Sequence, residues 1–565
     1  MQTIPHFTEM KIDTPDVHTL TQECNTIVSR MRDAASIDVV KAVIHEWDEM
    51  RKRINTWAAL VHTHFSQDTS NEEYKKARDH ADAISPAITE QEIRIKNTLL
   101  DHPLRDQLEA AYGTQAFAKW EADRKSFDPR IADDLVKESK LASEYTALKA
   151  QAKLEFRGET YNLSTIIKHH SVADRATREA SQRTQWDWYA QHAEQLDSIF
   201  DQLVKLRHGM AQKLGFENFV PLGYLLKHRI DYGQKEVERF RAGIRDHIVP
   251  ICQQLFKEQA DRHGVEQLMY WDEKVFDTKG NPVPAGDHDW LMDRATEMFG
   301  EIGHGLGEFF AMIREHGLLD LKSRDGKAGG GFCTNFPSFN APFIFANFNG
   351  TQNDARVFTH EVGHAFQKYM SKGQPLLDYQ RATSETAEVH SMSLEYITWP
   401  WMDSFFGEAE GKRFRTIHLA QSLEFLPYGT AVDHFQHLIY EKPNATPDER
   451  AEMWQEMERT YLPWRNYGDL PHVSRGRLWQ GQLHIYRLPF YYIDYVLANV
   501  CALQFWVRSE TDREEAMKAY TDLCARGGEA PFQELVRSAG LTSPFDEGCL
   551  KQVADHARDW LGAQS

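Results

Sequence analysis

His360-Glu361-Val362-Gly363-His364 lies in a stretch, Asp354 to Lys372, whose pattern predicts a single helix. Histidines four apart lie one helical turn apart on one face, so both imidazoles can reach a single metal ion. The glutamate after the first histidine stands where it can take a proton from a water activated by that ion. The pentapeptide points to metal-assisted hydrolysis, with peptide bonds as the leading substrate. In a chain with 26 histidines the same pattern also arises by chance, so its surroundings decide the reading.

A catalytic zinc takes three protein ligands and keeps a fourth position for water. The metzincin pattern would supply the third from the same stretch, with glycine at 367 and histidine at 370. Those positions hold Gln367 and Met370, which excludes it. The other option is a glutamate on a following helix. Gly373-Gln374-Pro375 ends the first helix, a short loop runs to about Thr383, and a second helix is predicted over Ser384–Ile397, closed by Trp399-Pro400. It carries Glu385, Glu388 and Glu395. Glu388 and Glu395 share a face and Glu385 lies three before Glu388, so spacing leaves all three open, with Glu388 at mid-face.

Upstream, Phe332–Thr334 and Pro342–Phe348 read as short strands with Asn335–Asn340 turning between them. Asn349-Gly350 closes the segment, and Thr351 or Asn353 is a candidate helix cap. In that order an edge strand can lie along a metal cleft, where an extended peptide adds as a further strand; a hairpin that merely packs on the helix fits equally well. Lys327-Ala-Gly-Gly-Gly-Phe-Cys-Thr334 is not a phosphate loop, because no lysine follows the glycines.

The rest of the chain is patterned mainly as helix. From about Thr14 to Lys153 apolar residues recur at three and four, as in Val39, Val40, Val43, Ile44, Trp47 and Met50, with breaks near Asp68–Asn71, Ser85-Pro86 and Asp128-Pro129. Leu154 to Leu163 alternates around Arg157-Gly158, which predicts a small hairpin, and helical patterning resumes over Ala173–Leu214 and Gln234–His263. A boundary near Asp187 would separate an N-terminal helical domain, residues 1–187, from a catalytic domain, residues 188–565. The 565 residues are 41% hydrophobic, enough for a sizeable core. A net charge of -19, from 84 acidic and 65 basic residues, argues against nucleic acid or an anionic membrane as partner. Neither a signal peptide nor a run of about 18 apolar residues is visible. The six scattered cysteines form no CxxC pair and suit a reducing compartment, so a cytoplasmic location is expected.

Phe358-Thr-His-Glu-Val-Gly-His-Ala-Phe366 resembles the metal helix of the oligoendopeptidase F and thimet oligopeptidase family of zinc metallopeptidases. Thr386-Ala-Glu-Val-His-Ser391 with Leu394-Glu395 resembles that family's second helix. There the third ligand is a glutamate three residues before a serine, which implies Glu388, before Ser391. His390 stands where the thimet branch usually has proline, a departure beside the ligand and not at it. Phe425-Leu-Pro-Tyr-Gly429 through Asp433-His-Phe-Gln436 is similar to a stretch of the Pz-peptidase branch. So is His484 to Tyr495, which in the family supplies a histidine and tyrosines facing the zinc. The resemblance runs from roughly Phe156 to the C-terminus. It implies a mostly α-helical, gluzincin-type zinc peptidase with a deep channel between helical domains and a small β-sheet beside the metal helix. One zinc per chain would be held by His360, His364 and Glu388, and the substrates would be short unfolded oligopeptides.

Zinc so held lowers the pKa of its bound water to about 7. Glu361 would take the proton as that water attacks the scissile carbonyl and deliver it to the leaving amine, help worth about 10²–10⁴-fold. A donor to the oxyanion adds roughly 3 kcal/mol; His484, Tyr491, Tyr492 and Tyr495 are candidates, and the resemblance favours His484 with Tyr491 or Tyr495. Without it, Tyr486, Phe490, Tyr491 and Tyr495 read as core. Glu395 or Asp378 would orient a ligand histidine, Glu395 having the better spacing. His169-His170, His304, His316, His434 and His437 read as surface or satisfied core residues. The expected activity is internal cleavage of oligopeptides. A dipeptidyl carboxypeptidase would need a group to bind the substrate carboxylate, and a non-catalytic peptide binder would have no use for Glu361.

Overall fold

The computed structural model describes residues 4–564, which are mostly helical with two small sheets. The chain divides into two compact units, each drawn from separated stretches: residues 1–125, 283–411 and 501–542 in the first, and 126–282, 412–500 and 543–565 in the second.

The first unit begins with three long helices, Val17–Asp33, Ile37–Gln67 and Glu72–Leu100. Asp16 caps the first by accepting from Thr19 N (2.8 Å), and Asn71 caps the third by accepting from Glu73 N (2.9 Å). Val40, Val43, Ile44, Trp47 and Met50 form the buried stripe of the second, while Val39 faces outward at 46% exposure. The expected break at Ser85-Pro86 does not occur, and the third helix runs through Pro86. One lost backbone hydrogen bond there is outweighed by Ile88, Ile95 and Leu99, which join the core shared with the first two helices.

That core also takes in Leu376 and Tyr379, just beyond the HExxH helix. Arg51, buried, pairs with Asp48 and lies 2.7 Å from Asp378 Oδ2, while Leu377 N donates to Asp48 Oδ2 (3.0 Å). Trp120 Nε1 donates to Asp378 Oδ1 (3.0 Å). The N-terminal helices are thus built into the same unit as the HExxH helix, and the chain divides differently from the single cut expected near residue 187.

A three-stranded sheet supports the HExxH helix. Ala341–Phe348 is the central strand, pairing antiparallel with Phe332–Phe336 (Thr334 opposite Phe343) and parallel with Leu319–Lys322 (Leu319 opposite Ile344). Burial on both faces from Ala341 to Ala346 explains its unbroken apolar run. The predicted strand pair is present, with a 3₁₀ turn Pro337–Phe339 between; the third strand is an addition.

In the second unit the hairpin Leu154–Phe156/Glu159–Tyr161 turns at Arg157 (φ 53°) and Gly158 (φ 83°), as predicted. The helical stretch from Gln234 to His263 contains a π turn, Ile244–Ile248, just before Pro250, whose missing N–H cannot continue the ladder. Among the described residues no helix is long and apolar enough to cross a membrane.

Candidate active site

The HExxH helix spans Gln352–Met370. Thr351 occupies the N-cap position without accepting from the helix backbone, its Oγ1 donating to Asn349 Oδ1 (2.8 Å); Asp354 instead accepts from Asn349 N (3.0 Å) and Gly350 N (2.7 Å). The second helix, Ser384–Ile397, has the predicted bounds. The two touch at Gly363, where a Cβ would lie 2.7 Å from both His390 O and Ser391 Cα. Only glycine permits so close an approach, a role that the sequence motif alone does not reveal.

This contact brings the two histidines and one glutamate together. Glu388 Oε2 lies 3.3 Å from His360 Nε2 and 3.4 Å from His364 Nε2, and the ligand atoms of the three residues lie within 4.8 Å of one another. Two imidazole nitrogens and a carboxylate converging in this way fit a zinc ion with an open fourth position. Ser391 Oγ donates to Glu388 Oε2 (3.0 Å), which gives the serine three residues on a physical purpose. His360 Nδ1 lies 2.7 Å from Glu395 Oε1. A carboxylate only accepts, so Nδ1 carries the proton and Nε2 presents its lone pair to the centre. Burial opposes a charged His360, yet Glu388 and Glu395 outweigh it and drive its pKa well up; a cation held at Nε2 would take the place of the second proton that these carboxylates favour. Asp378 takes no part here, being held by Arg51, Lys119 and Trp120. Glu385 is buried on the same helix but outside the converging trio.

Glu361 is 7% exposed, and its Oε2 has no hydrogen-bond partner among the described residues. Burial raises its pKa above the usual carboxyl range, while His360 and His364 pull it down. A Cβ at Gly331, where the outer strand begins, would lie 3.7 Å from Glu361 Oε1.

In the second unit, His484, Tyr491, Tyr492 and Tyr495 form one ring cluster. The His484 ring lies 5.8 Å from Tyr491, 5.1 Å from Tyr492 and 5.9 Å from Tyr495, centroid to centroid, and Tyr491 and Tyr495 are 5.1 Å apart. Tyr486 and Phe490 are core residues, at 0% exposure.

A model of peptidase family M3 matches residues 169–286 and 293–555, and one of the M3 N-terminal domain matches residues 7–127. The chain belongs to peptidase family M3. This M3 peptidase is 42% identical to a Pz peptidase A solved with an inhibitor, over 99% of this chain and 100% of that one, with a TM-score of 0.95. It is 41% identical to a protein described as an oligoendopeptidase F of Bacillus anthracis str. Ames, over 99% and 98% of the two chains, with a TM-score of 0.90. An oligoendopeptidase F of Enterococcus faecium, 14% identical with a TM-score of 0.63, shares the fold. No curated protein gave a match. Peptidases of family M3 are zinc metallopeptidases, and the M3 peptidase described here is a metallo-oligopeptidase acting on peptides.

Proposed function

We propose that the chain is a zinc-dependent endopeptidase that hydrolyses internal bonds of short, unstructured oligopeptides. His360, His364 and Glu388 would hold one zinc, and Glu361 would be the general base. The carrying observation is the buried Glu361 carboxylate with an uncommitted oxygen, next in sequence to a ligand histidine whose far nitrogen is fixed by Glu395. When bound, zinc acidifies a coordinated water to a pKa of about 7 and polarises a carbonyl. Glu361, desolvated and raised in pKa, accepts the proton of the attacking water and releases it to the leaving nitrogen. Ser391 and Glu395 hold Glu388 and His360 in position throughout. His484, Tyr491 and Tyr495 are the proposed hydrogen-bond donors to the developing oxyanion, a role supported by their clustering and by the family resemblance.

The test uses purified protein, quenched peptides of graded length and a folded protein, with and without a chelator, beside Glu361→Gln. The expected result is internal cleavage of the short peptides only, abolished by chelation and by the substitution. Full activity in Glu361→Gln would refute the general-base role, and release of C-terminal dipeptides alone would refute the endopeptidase reading.

A further inference from the structure

The Phe425–Gly429 stretch has a similarity to Pz peptidases but no part in the chemistry above. In the second unit it presses against the His484 segment. A Cβ at Gly429 would lie 2.4 Å from Val496 Cγ2, and the Phe425 ring lies 5.7 Å from Tyr492 and 6.3 Å from Tyr495. This approach sets Tyr428 beside Gln482, the residue that precedes the short helix Leu483–Arg487. Tyr428 Oη lies 2.9 Å from Gln482 Oε1, and Gln482 Nε2 lies 2.8 Å from His484 Nδ1.

We infer that Tyr428 and Gln482 form a relay that keeps a proton of His484 on Nε2, making that nitrogen the donor in the reaction. This rests on the proposal that His484 donates to the oxyanion. Two proton arrangements are compatible with the heavy atoms. In the first, the phenol donates to the Gln482 carbonyl, the amide N–H donates to Nδ1, and the imidazole proton sits on Nε2. In the second the amide is turned: Nδ1–H donates to the carbonyl and the amide donates to the phenol oxygen. The phenol hydrogen then needs another acceptor, and among the described residues Tyr428 Oη has Gln482 as its hydrogen-bond partner and no other. A hydroxyl left without a protein acceptor in this half-buried aromatic setting is disfavoured, which selects the first arrangement. The Tyr428 ring is flanked edge-on by Trp454 (6.4 Å) and Tyr492 (5.9 Å), with the Arg465 guanidinium 5.8 Å from its centroid. A cation there improves a phenol as donor and weakens it as acceptor. Gln482 and Tyr428 are therefore positioning residues for His484.

The experiment is ¹⁵N NMR of the histidine-labelled, zinc-loaded full chain, with the His484 signals assigned by their loss in His484→Gln, alongside kcat and KM. Wild-type His484 should be protonated on Nε2. Gln482→Glu places a carboxylate at Nδ1 and should move the proton there, lowering kcat by about 10²-fold with KM little changed. Tyr428→Phe, a milder change, should give a mixture of tautomers and a smaller loss of kcat. Wild-type His484 protonated on Nδ1, or a tautomer unmoved by Gln482→Glu, would overturn the relay. A moved proton with kcat intact would leave the relay standing and overturn the catalytic role of His484.

Discussion

Replacing Gly363 with alanine puts one methyl group where the two helices of the metal site touch. Its carbon would lie 2.7 Å from His390 O and Ser391 Cα, and 3.2 Å from the His390 carbonyl carbon. Ordinary contact begins near 3.5 Å, so the helices must part by roughly 0.8 Å. Two effects oppose each other. Alanine favours a helix interior over glycine by up to about 1 kcal/mol. Overpacking costs about 1–3 kcal/mol, and here the crowded atoms are backbone, which cannot rotate away. The net loss of stability should be modest, at most about 2.5 kcal/mol. Function should suffer more, because Glu388 rides on the displaced helix three residues before Ser391. Metal–ligand distances tolerate only about ±0.2 Å, and a shift of this size should weaken zinc binding by about 10–100-fold. The kcat/KM at saturating zinc should fall by about 10²-fold. Competition with a chromophoric chelator reads the affinity, and thermal unfolding of the metal-free protein reads the stability. An alanine variant with wild-type zinc affinity and full activity would refute the claim that the close contact at Gly363 sets the position of Glu388.

Glu395→Gln keeps the shape of the group hydrogen-bonded to His360 Nδ1 but removes its charge, and should lower zinc affinity by about 10–100-fold in the same competition assay. The side chains of Arg229 and Asp494, both 0% exposed, pair at 2.8 Å in the second unit, with Arg229 Nε and Nη1 and Asp494 Oδ2 lacking hydrogen-bond partners among the described residues. Arg229→Met should therefore destabilise by about 3–5 kcal/mol in chemical denaturation, and adding Asp494→Leu should recover most of that loss. Burial alone would raise the Asp320 carboxyl, but hydrogen bonds from Arg324, Lys327 and Gln67 hold it down to about 2. Its folded pKa is depressed, so its stabilisation of about 2 kcal/mol is present above pH 4 and lost as pH falls from about 4 to about 2. Asp320→Asn should be less stable at neutral pH, with the gap to wild type closing across that window.

The helix pair of the site is legible in the sequence because its signals are local. Apolar periodicity, Pro375 and the Trp399-Pro400 stop define Ser384–Ile397, and the four-residue step of the histidines needs only a helix to become a ligand pair. What escapes is set by partners distant in sequence. The contact of Arg51 with Asp378 ties the N-terminal helices to the unit that holds the site, and nothing near Asp187 signals it. Leu319–Lys322 becomes a strand by parallel pairing with Ala341–Phe348, a pairing that no hairpin turn announces. Pro86 reads as a break because its cost is local while the burial that offsets it is tertiary. Tyr428 and His484 are likewise far apart in sequence, so the link through Gln482 is visible only in three dimensions.

Gln367 shows how these pieces depend on one another. Glycine at that position, with histidine at 370, would allow a single segment to complete the metal site. Here Gln367 is 2% exposed, its amide donates to Ser371 Oγ (2.9 Å), and Ser371 Oγ donates to Gln380 O (3.1 Å). These bonds carry the helix on to Met370 and fasten the returning loop that leads to Ser384. With the helix continued, the third ligand comes from a second helix, and here Glu388 reaches both histidines where the two backbones nearly touch. In this chain glycine at 363 is the place where that second helix approaches without a side chain between, 2.7 Å separating a Cβ there from His390 O and Ser391 Cα.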